Sequence, residues 1–175
     1  MTPQEWVTNQ LPNMEEVLKA LVAIPSVQGA ATENAPYGTQ PLHCLEEFLR
    51  QAQALGFPVS LEDQRMGEVR LGEGSPSLAI LGHLDVVPGW TGGEHPSYEL
   101  TKEDGVYYGR GVIDDKGPMV SALFALYYFL EQGISLDAPV MLLAGTDEEN
   151  GSADLEYYRK NHTLPSMVIT PDASY

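Results

Sequence analysis

The chain has 175 residues, 43% of them hydrophobic, with a formal net charge of -16 and a pI near 4.3. That is enough apolar content for one globular domain with a core, and the charge excludes nucleic acid and anionic membrane as partners, since both would repel it. A single cysteine, Cys44, excludes an intrachain disulfide, and Met1 to Trp6 lacks the basic region and apolar core of a secretory signal, so a reducing cytoplasm is the expected location.

Pro3 to Ile24 has helical spacing through Trp6, Leu11, Met14, Val17, Leu18, Leu21 and Val22, with Pro25 as a stop and Pro12 expected to kink or divide it. After a loop over 29–40 rich in Gly, Ala, Asn and Pro, Pro41 to Leu55 repeats the pattern through Leu42, Leu45, Phe48 and Leu49, and Gly56 ends it. His43 and Cys44 are adjacent there and do not face each other, which argues against a Cys-His nucleophile; Cys44 reads as a small buried apolar residue. Short strands are expected at Val59 to Asp63, Gly67 to Leu71, Ser77 to Gly82, Tyr98 to Thr101 and Val106 to Tyr108. Met119 to Leu130 is a strongly apolar helix with Pro118 suited to its first turn. It is too short for a bilayer, which needs about 20 residues. A strand around Val140, a helix from about Ser152 to Asn161 and a strand around Met167 complete the chain. Strands alternating with helices imply an α/β fold with a mostly parallel central sheet, helices on both faces and an antiparallel contribution from short hairpins. No repeat or linker divides residues 1–175.

Three acidic motifs sit at the ends of these elements: His83-Leu84-Asp85 after a strand, Asp114-Asp115-Lys116-Gly117 before a helix, and Asp147-Glu148-Glu149-Asn150 after a strand. His83 and Asp85 point the same way if the strand persists, so one can bind a metal while the other orients it. The alternative is a hydrogen-bonded core histidine beside a turn residue. Asp114 and Asp115 are either capping acids at a helix N-terminus or include a carboxylate bridging two cations. Three adjacent acids at the end of an apolar strand are unfavourable without cations or strong hydrogen bonds, unless they form a solvated turn.

In this order, with Gly82-His83-Leu84-Asp85-Val86-Val87-Pro88, Gly109 to Pro118 and Gly145-Thr146-Asp147-Glu148-Glu149, the motifs resemble the aminoacylase and carboxypeptidase family of co-catalytic metallopeptidases, which includes the desuccinylases, and within it the bacterial dipeptidases. The resemblance runs from the leading helix to Tyr175. It implies that His83 binds one metal, Asp114 bridges two, Glu149 binds the other and Asp172 completes the His83 site. Glu148 is then the general base, Asp85 orients His83, and the Asp114–Asp115 peptide bond is expected to be cis.

The implied reaction is amide hydrolysis of a dipeptide or small peptide, in which Glu148 takes the proton of the attacking water and gives it to the leaving amine. Two divalent cations are implied, with zinc first and manganese or cobalt as alternatives. Deacylation or desuccinylation of N-acyl amino acids is the alternative reaction, and a non-catalytic binding module of the same fold is the alternative class. Retention of Glu148, which serves only proton transfer, argues for the enzyme. The family also uses a second histidine far down the chain and an inserted lid domain. His43, His95 and His162 do not occupy that position. The expectation is therefore the N-terminal portion of a catalytic domain, with an incomplete site of weak or no turnover and the C-terminal part of the same protein as its missing partner.

Overall fold

The computed structural model describes residues 1–172. Helix α1, Pro3–Val22, opens on a reciprocal cap: Thr2 Oγ1 accepts the Glu5 N–H at 3.3 Å, and the Glu5 carboxylate accepts the Thr2 N–H at 2.9 Å. The helix runs unbroken through Pro12, so the expected division does not occur. Pro12 lies on the exposed side, where water can satisfy the carbonyl that its missing N–H leaves free. Trp6 before it and Val17, Leu21 and Val22 after it hold the opposite side against the core. Helix α2, Thr39–Ala54, buries Cys44, Leu45, Phe48, Leu49 and Ala52 along one stripe and leaves His43 exposed.

Strands β1 (Val59–Glu62), β2 (Met66–Leu71), β3 (Leu78–His83), β6 (Val140–Gly145) and β7 (Met167–Ile169) form one sheet in the order β1-β2-β6-β3-β7. Strand β3 pairs in parallel with the central β6 and with β7, while β1 and β2 join antiparallel at the other edge. Helices α3 (Lys116–Glu131) and α4 (Ala153–Asn161) complete the α/β arrangement. Alternation along β6 divides its side chains between two cores. Leu142 and Ala144 pack with α1, α2 and α3, whereas Met141 and Leu143 meet Met66, Ala79 and Tyr158 of α4 on the other face. No described helix is long and apolar enough to cross a membrane.

A separate hairpin joins β4, Thr101–Glu103, to β5, Val106–Tyr108. The first of these strands was expected at Tyr98 to Thr101. Its true position follows from Asp104 and Gly105, which both take positive φ and pair Glu103 with Val106 across a tight turn. Tyr98 instead donates no ladder bond, and its hydroxyl accepts the Gly89 N–H at 2.9 Å.

Candidate metal centre

The parallel register fixes where the motifs meet. His83 at the end of β3 lies opposite Gly145 at the end of β6, and β7 runs alongside in the same direction. The motifs that follow these three strands are therefore delivered to one end of the sheet, where open α/β sheets place their ligands. Asp114 enters from the loop before α3. His83 Nε2 lies 3.1 Å from Asp114 Oδ1, 3.8 Å from Asp172 Oδ2 and 3.9 Å from Glu148 Oε2. One donor atom each from His83, Asp114 and Asp172 lies within 4.8 Å of the other two, a group that can hold a metal ion.

The ring of His83 is aimed from behind. Its Nδ1 donates to the main-chain carbonyl of Asp85 at 3.0 Å, with the Asp85 carboxylate 3.4 Å away, so Nε2 is the nitrogen presented to the acids. Burial by itself would lower the imidazole pKa, but the hydrogen bond and charge of Asp85, with Asp115 and Glu148 nearby, push it up to about 10. Asp172 Oδ1 is buried without a hydrogen-bond partner among the described residues, as expected of a carboxylate whose partner is an ion. One imidazole and two carboxylates suit a divalent cation by charge and donor type.

The Asp114–Asp115 peptide bond is cis. Asp115 precedes α3 but makes no side-chain cap bond to it. Its buried carboxylate instead accepts the His83 N–H at 3.1 Å, and burial raises its pKa to about 7. Sequence reasoning gave Asp115 no such role.

Glu148 and Glu149 occupy a single 3₁₀ turn, Glu148–Asn150. Glu148 is half exposed beside His83. Glu149 lies outside the close group of three and borders, with Asp114, a cleft that Trp90 and Arg110 also line. Burial and then the charge of Asp114 raise the Glu149 pKa. Asp85 Oδ1 accepts the Glu148 N–H and Oδ2 the Glu149 N–H, both at 3.1 Å. The residue expected to orient His83 thus also holds the turn that carries both glutamates.

Sequence reasoning missed the segment that joins the motifs. Leu21 to Ile24 reads as the end of a helix and Pro25 as its stop, yet the segment from Leu21 to Gln28 touches all three. Lys116 Nζ, fully buried, donates to the carbonyls of Leu21 at 2.8 Å and Ile24 at 2.9 Å. Ser26 Oγ donates to the Leu84 carbonyl at 2.6 Å, and Gln28 Nε2 donates to Asp147 Oδ1 at 2.6 Å. Only Lys116 carried a signal, as a lysine at the head of an apolar helix. The remaining histidines stay apart: His95 stacks on Tyr108 and His162 on Tyr158.

Residues 79–169 match the model of Peptidase family M20/M25/M40, and that span contains all three motifs and stops short of Asp172. The chain belongs to this peptidase family. It is 36% identical over 163 residues to the Beta-Ala-Xaa dipeptidase of Lactobacillus delbrueckii subsp. lactis, an alignment that covers 90% of this chain and 34% of that protein. The chain therefore spans about a third of the length of that relative. Human carnosine dipeptidase 1 superposes with a TM-score of 0.76 at 22% identity, over 98% of this chain and 40% of that one. An M20 family metallo-carboxypeptidase, Sso-CP2 from Sulfolobus solfataricus, gives 0.75 at 24% identity, over 92% and 37%. At these identities the two structures establish the fold.

Proposed function

We propose that the chain is the N-terminal portion of the catalytic domain of a metal-dependent dipeptidase. The observation that carries this reading is the meeting of His83, Asp114 and Asp172 at the ends of parallel strands, with Glu148 3.9 Å from the imidazole. His83 and Asp172 would hold one divalent cation, Asp114 would bridge to a second, and Glu149 would bind that second one. Zinc is the first choice, with manganese or cobalt compatible with the same donors. When bound, the cations supply Lewis-acid polarisation of the scissile carbonyl and lower the pKa of the attacking water.

The protein's own residues do the rest. Glu148, half exposed and anchored through its N–H to Asp85, takes the proton of the attacking water and hands it to the leaving amine. Asp85 keeps Nδ1 of His83 occupied, so that Nε2 would be the atom offered to a bound cation. A dipeptide substrate is favoured by the likeness to a protein named for Beta-Ala-Xaa dipeptides. The apolar groove between α1 and α3, bordered by the exposed Ile113 and Ile169, supports a seat for the downstream part of the same polypeptide, which would bring a further donor for the second cation. The buried, unpaired Cys44 suits a reducing cytoplasm.

Hydrolysis of a dipeptide panel, run beside N-acyl amino acids with zinc or manganese by the full-length polypeptide, tests this reading. Glu148→Gln is expected to lower turnover about 10²–10⁴-fold while cation binding persists. Undiminished turnover in that variant overturns the assignment of Glu148, and preference for N-acyl amino acids overturns the dipeptide assignment.

A further inference from the structure

Asp154 lies five residues beyond Glu149, in the first turn of α4, and is 2% exposed. No step of the reaction uses it. Its Oδ2 accepts the N–H of Thr146 at 2.6 Å and of Asp147 at 3.1 Å, and its Oδ1 accepts the N–H of Leu155 at 2.7 Å. The next two N–H groups along the chain, those of Glu148 and Glu149, belong to Asp85. Four consecutive amides, from Thr146 to Glu149, thus point into two buried carboxylates. Asp147 closes the arrangement from outside, accepting the Ala153 N–H at 3.2 Å and the Gln28 side chain at 2.6 Å.

A carboxylate buried against amide N–H groups is a strong acceptor and fixes the dihedral angles of the backbone it binds. Asp85 reaches the turn from the His83 side, and Asp154 reaches it from α4. We infer that Asp154 is a positioning residue for the Glu148–Glu149 pair, setting where the Glu149 carboxylate stands relative to Asp114. The inference rests on the metallopeptidase reading of Glu148 and Glu149.

The competing reading is that Asp154 only stabilises the start of α4. That role uses Oδ1 and the Leu155 N–H, whereas positioning uses Oδ2. The structure offers a substitution that separates the two. A Cβ added at Gly145 would stand 2.6 Å from Asp154 Oδ2, with its next contact a carbonyl oxygen 3.5 Å away, so Gly145→Ala displaces the turn-facing oxygen by moving a side-chain end. Asp154→Asn acts more directly. Both oxygens accept N–H groups, so an asparagine must turn its own NH₂ toward one of them.

The experiment is titration of the full-length polypeptide with cobalt(II), followed by absorbance, with His83→Ala and Glu149→Ala used to assign the two binding steps and a thermal melt on each variant. Gly145→Ala and Asp154→Asn are expected to weaken the Glu149-dependent step about 10–100-fold and to leave the His83-dependent step within about threefold. Equal weakening of both steps in proportion to lost thermal stability, or no weakening of either, overturns the inference. If Asp154→Asn does not fold, Gly145→Ala decides alone. If the wild-type full-length polypeptide shows no step sensitive to His83 or Glu149, the metallopeptidase reading itself fails and takes the inference with it; selective steps in the wild type with unselective variants defeat the role of Asp154 only.

Discussion

The imidazole of His83 is tied to Asp85 by the main chain first: Nδ1 donates to the Asp85 carbonyl at 3.0 Å, while the Asp85 carboxylate directs its two oxygens to the amides of Glu148 and Glu149. One buried residue therefore links the strand that carries His83 to the turn that carries two acids.

Replacing Asp85 by Ala preserves its carbonyl and removes the acceptor of two amides. The expected result is a loss of stability of roughly 1–3 kcal/mol for each N–H left unsatisfied. Urea unfolding measures it, and a change below about 0.5 kcal/mol would show that water replaces the carboxylate freely.

Lys116 is 0% exposed, and its ammonium satisfies two carbonyls at the end of α1, those of Leu21 and Ile24. Lys116→Met keeps most of the volume but leaves both carbonyls without that donor. The expected destabilisation is roughly 1–3 kcal/mol by urea unfolding at neutral pH. A more stable variant would mean that relief from burying the charge outweighs the lost bonds.

Tyr158 packs beneath the sheet, 3% exposed, and its hydroxyl donates to the Glu68 carboxylate. Burial, then the hydrogen bond and charge of Glu68, raise the phenol above its ordinary value. A raised acid keeps its proton in the folded state after the unfolded chain has begun to lose it. Its stabilising contribution is therefore complete below about pH 10, the unfolded value, and is lost as pH climbs through the folded value. Tyr158→Phe should flatten the fall in urea midpoint above about pH 10. An identical fall in both proteins would assign alkaline unfolding to other groups.

Gly82 sits in β3 beneath the site, and a Cβ there would overlap the Asp115 carboxylate and the sulfur of Met119. Gly82→Ala must push Asp115 away from the His83 N–H. Overpacking of this kind is expected to destabilise by about 1–3 kcal/mol. A thermal melt checks it, and an unchanged midpoint would show that α3 can shift to make room.

Much of this was legible in the residues. The apolar runs before His83, Asp147 and Asp172, and the helix launched after Asp114, placed the acids at element ends, because apolar runs of strand length and helix start signals are local properties of the chain. The division of roles between Glu148 and Glu149 came from the family resemblance rather than from spacing. Pro12 misled because helix breaking is a local tendency, and packing of Trp6, Val17 and Leu21 outweighs it. The displaced β4 is a miss of turn chemistry that Asp104-Gly105 could have revealed.

Taken alone, the sequence determined which donor types the chain has, the order in which it presents them and the strand or helix end on which each stands. Tertiary structure decided what holds them in place. Gln28 and Asp147 are 119 residues apart, Lys116 and Leu21 are 95 apart, and Ser26 and Leu84 are 58 apart. No local pattern encodes such pairs. Asp154 is near in sequence to the amides it accepts, yet its role depends on the turn of Thr146 to Asn150 aiming those N–H groups inward, and that conformation exists only once β3 and β6 lie side by side and bring Asp85 beneath it.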